Sequence, residues 1–340
     1  MRKFASTTLC MAMTVLASMA SGATVTLVAT GLNNPRGIAF GPEGGLYVAE
    51  AGYGGTVPCG TGPDGSQTFF GPSGSVTRID LGEGTQERIV AGLPSKAAAN
   101  GTQASGPVDI AFQGRGDALV IIGNGGPPAA RTACAGAENF GKLIQVAASG
   151  NWKIVADVTA HELTNPDGRN VDTNPYSIAI SGSRRVVADA GGNDLIEVSP
   201  DRTTTTLAVL PPVGGVFDSN PVPSTVTFGP DGAVYAGQLT GAPFPAGAAS
   251  VFRVSPDGTL TPVATGFTSI IDIAFGPDGA LYVLQIFPGN LIRVAIDGSR
   301  SVVYSGLSFP GGFAFGPNGS IYVTNLAILP GSGQVLRIQP

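Results

Sequence analysis

Histidine is almost absent from this sequence of 340 residues, since His161 is the only one. A metal centre built from several histidines is therefore excluded, and a Ser-His-Asp triad could use only this residue. The surrounding residues 158–166 indicate one short helical turn within a loop. A surface histidine fits that setting better than a catalytic base does, and we assign no catalytic residue from the sequence.

Charged residues are also scarce, at 12% of the chain, and the formal net charge is −5. Lysine and arginine form no cluster anywhere in the sequence. A basic patch is the usual mark of a protein that binds nucleic acid or an anionic membrane surface. We therefore expect neither nucleic acid nor membrane as a partner.

No hydrophobic run is long and uninterrupted enough for a membrane anchor, which needs about 20 strongly apolar residues. The best candidate follows Arg2 and Lys3, contains several Ser and Thr residues, and ends in small residues at positions 21–23. That pattern is typical of a secretory signal peptide. We expect residues 1–23 to be removed after Ala20 or Ala23, and the mature protein to be secreted or periplasmic.

Glycine and proline are abundant, at 51 and 27 residues, which is typical of a protein with many short strands and turns. The chain also repeats itself. Its clearest unit, residues 273–283, reads Ile-Ala-Phe-Gly-Pro-Asp-Gly-Ala-Leu-Tyr-Val, two apolar strands around a tight turn. Further copies occupy residues 38–48, 110–120, 178–188, 226–236 and 313–323, the copy at 178–188 being the most divergent.

Two more strand patterns follow each copy, and four strands per unit predict an all-β, six-bladed β-propeller. The sixth unit ends at Pro340 after its third strand, whereas residues 26–32 match the pattern of a fourth strand. We therefore predict that residues 24–32 complete the last blade and close the ring. Residues 24–340 should form one domain, because such blades share a continuous core, and we expect a monomer.

Long connections are predicted on one face of the ring only, which we call the loop-rich face. They comprise residues 49–74, 123–141, 160–175, 211–223 and 238–249. The opposite, turn-rich face has only minimal turns. Because long ordered loops on a rigid scaffold commonly carry binding sites, we expect any site on the loop-rich face. Solvent-exposed insertions without function are the alternative.

Cys59 and Cys134 are the two cysteines that remain after export, and they lie in equivalent loops of the first two blades. In an exported protein this arrangement favours a disulfide. Two free thiols are the alternative.

Asp109 and Asp272 begin the inner strands of blades two and five, which lie opposite one another in a six-bladed ring. Carboxylates at the mouth of the central channel would suit calcium or magnesium. An aspartate before an apolar strand also commonly caps a turn. The spaced oxygen side chains of residues 167–174 lack the glycine and terminal glutamate of an EF-hand, and we interpret them as Asx turns.

Several further runs are too specific to be general propeller repeats. They are Asn-Pro-Arg-Gly at 34–37, Asn-Pro-Tyr at 174–176, Ala-Asp-Ala-Gly-Gly-Asn-Asp at 188–194 and Thr-Gly-Ala-Pro-Phe-Pro at 240–245. With them, essentially the whole mature chain resembles the ScyD/ScyE family of exported propeller proteins. This resemblance implies the propeller fold and export, but no reaction or catalytic residue.

The repeats are more distantly similar to NHL-type and gluconolactonase-like propellers. The latter hold a central divalent metal with a glutamate, asparagines and an aspartate. The corresponding positions of this sequence are Gly37, Asp109, Ser177, Thr225, Asp272 and Gly312. This set departs from the gluconolactonase ligands and argues against carrying over their activity.

Two functional hypotheses result. The first is a non-catalytic binding or scaffold module that holds a small molecule, glycan or protein on the loop-rich face. Its candidate residues are Arg36, Glu50, Tyr53, Tyr176, Asp189, Asn193 and Phe244. A purely structural turn at residues 189–194 is the alternative for that run. The second hypothesis is a metal-assisted hydrolase, lactonase or lyase centred on Asp109 and Asp272.

Overall fold

A computed structural model describes residues 22–62, 64–116, 118–147, 149–213 and 220–340. The predicted signal peptide, apart from its last two residues, lies outside the described residues, as does part of the predicted loop at 211–223. Within the described ranges the chain forms 25 strands in six antiparallel sheets arranged as the blades of a propeller. The prediction of six four-stranded blades is confirmed.

The strands follow one another blade by blade around the ring. The first strand is β1 (Thr24–Leu32). Blade 1 contains β2 (Pro35–Phe40), β3 (Leu46–Glu50), β4 (Val57–Thr61), β5 (Gln67–Asp80) and β6 (Thr85–Ala98). Blade 2 contains β7 (Pro107–Phe112), β8 (Ala118–Ile122), β9 (Lys142–Val146) and β10 (Trp152–Asp157). Blade 3 contains β11 (Pro175–Ser181), β12 (Arg184–Asp189), β13 (Asp194–Val198) and β14 (Thr204–Val209).

Blade 4 contains β15 (Pro223–Phe228), β16 (Val234–Gln238), β17 (Ala249–Val254) and β18 (Leu260–Phe267). Blade 5 contains β19 (Ile270–Phe275), β20 (Leu281–Gln285), β21 (Asn290–Val294) and β22 (Arg300–Ser305). Blade 6 contains β23 (Gly312–Phe315), β24 (Ile321–Asn325) and β25 (Gly333–Gln339). Short 3-10 helices lie at Pro128–Thr132, Ala137–Asn139, Thr159–Thr164 and Pro317–Gly319. Among the described residues, none of the helices has the length and apolar character that crossing a membrane requires.

The N-terminal strand closes the ring as predicted. β1 pairs antiparallel with β25, with Thr24 opposite Gln339 and Leu32 opposite Gly333. Leu32 is fully buried in the core between blades 6 and 1. Because this pairing occupies the free edge of β25, the sixth sheet gains its fourth strand from the opposite end of the chain.

The repeated Phe and Tyr residues explain how neighbouring blades pack. Tyr47 of blade 1 contacts Phe112 of blade 2 edge-on, with ring centroids 4.9 Å apart, and Tyr282 of blade 5 contacts Phe315 of blade 6 at the same distance. Such edge-to-face pairs stabilise beyond the area they bury. At the junction of blades 3 and 4 the guanidinium of Arg184 instead lies 5.6 Å from the ring of Phe228. The repeat copy at residues 178–188, which is the most divergent, thus packs on blade 4 through an arginine where the other two junctions use a tyrosine.

The predicted loop at residues 49–74 differs from the structure. It contains β4, which pairs with an outward extension of β5 and forms a hairpin above blade 1. β6 is also extended, and it pairs antiparallel with this part of β5 as far as Ala98. Glycine and proline conceal this hairpin in the sequence, because both residues are depleted in ordinary strands.

The predicted disulfide is confirmed. Cys59 in β4 and Cys134, which follows the 3-10 helix Pro128–Thr132, are bonded, with their Cα atoms 5.1 Å apart. Cys59 belongs to the core shared by blades 1 and 2. The bond therefore fastens the hairpin of blade 1 to the long connection of blade 2.

Candidate functional site

The inner strand of each of blades 1 to 5 carries an irregularity close to the channel. In blade 2 the register with β8 shifts between Pro107 and Asp109, and in blade 5 the register with β20 shifts between Ile270 and Asp272. Blades 1, 3 and 4 shift at the equivalent place. A β-bulge redirects the side chain that follows it. The channel-lining positions predicted from the repeats are therefore set by this bulge.

Asp109 and Asp272 each join their own blade to the next. The backbone N–H of Ile178 in blade 3 donates to Oδ2 of Asp109 over 2.8 Å. The backbone N–H of Phe313 in blade 6 donates to Oδ2 of Asp272 over the same distance. The Oδ1 atoms accept the N–H groups of Ile110 and Ile273, the following residues. All four carboxylate oxygens therefore have backbone donors.

The two intervening blades use hydroxyl groups in the same way. Ser177 Oγ accepts the backbone N–H of Val226 over 3.3 Å, and Thr225 Oγ1 accepts that of Ile273 over 3.2 Å. We call Asp109, Ser177, Thr225 and Asp272 the channel belt. The belt connects blades 2 to 6 through four successive side chain to backbone bonds.

At the remaining belt positions the chain has glycine. A Cβ on Gly37 would lie 2.0 Å from Oδ1 and 2.7 Å from Cα of Asp109, so a side chain there would collide with blade 2. The open space between Asp109, Asp272 and the neighbouring Tyr176 is about 10 Å³. That volume accommodates about one water molecule. The channel is therefore nearly closed at this level.

Desolvation makes the two belt carboxyls weaker acids than an ordinary aspartate. It raises the pKa of Asp109 to about 6, and burial together with the negative charge of Asp109 raises the pKa of Asp272 to about 7. Calcium takes six to eight oxygen ligands, whereas these oxygens already accept backbone bonds. Within the described ranges, no group of three or more His, Cys, Asp or Glu side chains is placed so that it could hold a metal ion. The belt thus fits a metal poorly, and a metal at Asp109 and Asp272 stays a prediction.

Glu50, predicted for the binding face, is fully buried and serves a structural role. Its Oε2 accepts the backbone N–H of Asn33 over 2.6 Å and Nη2 of Arg88 over 3.0 Å. Its Oε1 accepts the hydroxyls of Ser75 and Thr77. This network ties the blade 6 to blade 1 connection to β5 and β6.

Asp189 and Asn193 form the tight turn that the sequence allowed as an alternative. Asp189 Oδ1 accepts the backbone N–H groups of Asn174, at 2.6 Å, and of Gly191 and Gly192, both at 3.0 Å. Asn193 has φ of 58° and binds Asp167 through its side-chain amide over 2.9 Å. Both side chains therefore stabilise the connection between β12 and β13.

The other polar candidate, Arg36, is also internal. Its Nη2 donates to the carbonyl of Ala104 over 3.2 Å. Tyr176 lines the channel beside the belt. Tyr53 is exposed on the loop-rich face, near Gly101. The structure thus does not bring the seven predicted residues together into one site.

Phe244 belongs to an exposed group of aromatic residues that the sequence did not reveal. Its ring lies 4.9 Å from that of Phe287, which lies 6.4 Å from that of Phe309. Phe287 is 49% exposed and Phe309 is 41% exposed. We call these three residues the aromatic row. It crosses the loop-rich face from blade 4 to the boundary of blades 5 and 6, because Phe244 lies between β16 and β17, Phe287 between β20 and β21, and Phe309 between β22 and β23.

Two rings of the aromatic row are held by uncommon backbone conformations. Phe244 has φ of 58° and Phe309 has φ of 45°. Bulky residues seldom adopt a left-handed conformation, and such strain is concentrated at functional sites. A sequence signal for Phe287 and Phe309 does exist. Both phenylalanines lie outside the repeated Ile-Ala-Phe strands, in short connections between strands.

His161 is buried, at 8% exposure, so the prediction of a surface histidine is wrong. It lies in the predicted helical turn, the 3-10 helix Thr159–Thr164. Its ring nitrogens contact hydroxyls of β14, Nδ1 with Thr204 over 3.1 Å and Nε2 with Thr206 over 2.7 Å. It therefore packs on blade 3 and does not belong to the channel belt.

A larger cavity, about 440 Å³, lies on the turn-rich face between blades 1 and 2 and is lined by Glu43, Tyr47 and Arg78. The Tyr47 hydroxyl donates to Glu43 over 2.5 Å. Tyr235 and Asp231 form the equivalent pair in blade 4, beside another cleft. Because this arrangement recurs with the repeat, we attribute the cavity to blade packing.

The sequence matches no protein-family model and no curated protein. Among solved structures, a virginiamycin B lyase from Staphylococcus aureus aligns over 94% of this chain and 100% of its own, with 13% identity and a TM-score of 0.54. A gluconolactonase from Xanthomonas campestris aligns over 96% and 93%, with 11% identity and a TM-score of 0.58. A calcium-binding regucalcin from Agrobacterium tumefaciens aligns over 92% of both chains, with 12% identity and a TM-score of 0.55. At these identities the similarity shows the fold alone.

Proposed function

We propose that this protein is an exported binding module of the ScyD/ScyE type, and that it holds a glycan through the aromatic row. The observation that carries this proposal is the exposure of Phe287 and Phe309 next to Phe244 on the loop-rich face. Exposed apolar patches mark interaction sites. A shallow row of rings suits the flat C–H faces of successive sugar units.

The polar residues of this face support binding rather than catalysis. Glu50 and Asp189 are saturated by structural hydrogen bonds, and the sole histidine packs against β14. The alternative, a lactonase or lyase centred on Asp109 and Asp272, draws support only from propellers that share the fold. Fold similarity alone does not transfer an activity.

Affinity electrophoresis in gels that contain a panel of soluble polysaccharides tests the proposal. The parent protein should be retarded by at least one polysaccharide. Phe287→Ala and Phe309→Ala should weaken that retardation about tenfold, because each removes a ring of the contact surface. Ile296→Ala is the matched control, since Ile296 is 90% exposed in the turn between β21 and β22 on the opposite face.

Retardation that is equal in the parent and in both phenylalanine variants would refute the aromatic row as the contact surface. Retardation by no polysaccharide would refute the glycan. Loss of binding in Ile296→Ala alone would place the contact on the turn-rich face.

A further inference from the structure

Two positively charged side chains are buried at the boundary of blades 1 and 2 without a negative partner. Lys96 lies near the end of β6 and is 7% exposed, and Arg36 lies in β2 and is 8% exposed. Among the described residues, neither side chain forms an ion pair with a carboxylate. Buried charges are costly unless they are paired. This excess of positive charge therefore needs a physical explanation.

The contacts that these two side chains do make involve only neutral groups. Lys96 Nζ donates to the carbonyl of Asn124 over 3.4 Å and lies 5.7 Å from the centre of the Phe140 ring. Arg36 Nη2 donates to the carbonyl of Ala104 over 3.2 Å, and its buried Nε has no hydrogen-bond partner in the described part of the chain. Because the surroundings solvate an ammonium group poorly, burial lowers the pKa of Lys96. Both cations thus lack a counter-charge.

Ser105 projects into the same space as Lys96. The two residues form an isolated antiparallel bridge, with N–H to carbonyl bonds of 2.8 Å in both directions. Residues directly opposite one another in such a pair carry their side chains on the same side. Within the described ranges the Ser105 hydroxyl makes no hydrogen bond. A free hydroxyl donor therefore lies on the same side as the buried ammonium group.

Gly125 leaves this space open toward the loop-rich face. It lies in the connection between β8 and β9 and has φ of 62°. From the point that its Cβ would occupy, the Ser105 hydroxyl oxygen is 2.9 Å away, and apart from the flanking residues no other described atom lies within 4 Å. Ser105 and Gly125 are both half-buried, so solvent reaches the space. Since Lys96 contacts Asn124, the residue before Gly125, an anion that enters here approaches the ammonium group.

We propose that Lys96 and Ser105 bind a phosphate or sulfate group, with Arg36 supplying additional positive potential. An ammonium group recognises such an oxyanion as a point charge, and a serine hydroxyl can donate to one of its oxygens. One arm of the guanidinium fork that would match a planar carboxylate is instead used on the carbonyl of Ala104. The bound group would offset the buried positive charge. This site is separate from the aromatic row and does not depend on it.

Thermal melts and equilibrium dialysis of the mature protein with sodium phosphate or sodium sulfate test the site. Sodium chloride at equal ionic strength is the reference, because it reproduces screening without a tetrahedral oxyanion. One oxyanion should bind per chain, and about a hundredfold excess over Kd should raise the melting temperature by about 4 °C. A similar shift with glucose 6-phosphate assigns the site to a group carried on a larger molecule. A shift with the inorganic ions alone assigns it to the free ion.

Lys96→Met removes the ammonium group and keeps an unbranched side chain. Without phosphate this variant should melt at or above the parent, because an uncompensated buried charge is gone, and phosphate should not shift it. Ser105→Ala should weaken phosphate binding about fivefold, since it removes one hydrogen bond. Lys142→Met is the matched control in blade 2, because Lys142 is already paired with Asp157 over 3.2 Å. It should retain the full shift.

Absence of both phosphate and sulfate binding to the parent would overturn the proposal. A shift that persists in Lys96→Met, or that is lost in Lys142→Met, would identify a general salt effect and would also overturn it. If Lys96→Met does not fold, Ser105→Ala decides, and phosphate affinity equal to that of the parent in this variant rejects the site.

Discussion

Asp272 and Phe313 are joined across the boundary of blades 5 and 6 by a 2.8 Å bond from a backbone N–H to a carboxylate oxygen. The acid thus contributes to the stability of the ring, in the channel position where the sequence suggested a metal ligand. Because the half-buried carboxyl is desolvated and lies near the charge of Asp109, its pKa is raised to about 7. This elevation has a consequence for how stability depends on pH.

A carboxyl with a raised pKa in the folded state stabilises the fold most below the pKa of the unfolded chain. For Asp272 that value is 3.8, and the contribution is lost as the pH rises through about 7. Asp272→Asn should therefore flatten the decline in the free energy of unfolding between about pH 4 and about pH 8, by on the order of 2 kcal/mol after solvent screening. Urea melts across this range measure it.

Asp278→Asn is the matched control for this pH dependence. Asp278 lies in the exposed turn of the same blade, where its hydrogen bonds, first with Arg293, lower its pKa. Its contribution is present above the ordinary pKa of 3.8 and is lost only as the pH falls below that value. The profile above pH 4 should match the parent. An Asp272→Asn profile that also matches the parent would contradict a raised pKa.

The glycine at position 37 is required by the close approach of blade 2. Gly37→Ala would place a methyl group 2.7 Å from the Cα of Asp109. We expect a loss of about 3 kcal/mol in the free energy of unfolding, because backbone atoms cannot yield as a flexible side chain can. Gly82→Ala is the control, since its Cβ would meet only Asp80 Oδ1, at 3.4 Å. Equal stability of the two variants would show that the blades can separate at little cost.

Closure of the ring can be tested within β1 itself. Leu32→Ala removes a fully buried side chain and should cost about 2 to 5 kcal/mol. Leu27→Ala lies in the same strand, but Leu27 is exposed, and this change should cost less than about 0.5 kcal/mol. Deletion of residues 24–32 should lower the melting temperature more than either substitution. An unchanged melt for that deletion would contradict closure by β1.

The disulfide should contribute stability through the chain it encloses. Cys59 and Cys134 are 75 residues apart, which sets a chain-entropy ceiling of about 4.5 kcal/mol. We expect the double variant Cys59→Ser, Cys134→Ser to lose about 2 to 4 kcal/mol in denaturant melts. Titration of the unreduced mature protein should detect neither thiol. Two reactive thiols, or a melt equal to that of the parent, would contradict this expectation.

The blades were predictable because their signals are local. The Gly-Pro-x-Gly turn and the apolar runs around it recur in sequence. The sixth unit ends after its third strand, and this indicated how the ring closes. The hairpin of β4 was not predictable in this way. Its strand, Val-Pro-Cys-Gly-Thr, has weak strand propensity and is held by a disulfide to a different blade.

The candidate sites were harder to predict because side-chain partners come from other blades. The position of Asp109 and Asp272 in the repeats placed them at the channel. Their Oδ2 atoms accept backbone N–H groups of the next blade, from Ile178 and Phe313, and no local sequence pattern reveals these partners. Glu162 likewise lies in a polar connection that looks solvent-exposed in sequence. Its burial depends on how that connection folds onto blade 3.

The pairing of β1 with β25 also constrains the order of events during folding. The first strand of the ring must wait for the last one before it has a partner, while the five intervening sheets consist of strands that are close in sequence and can form earlier. Until then the incomplete ring has two free strand edges available to other chains. Pairing of the two terminal strands, rather than collapse of any single sheet, is the event that completes the ring.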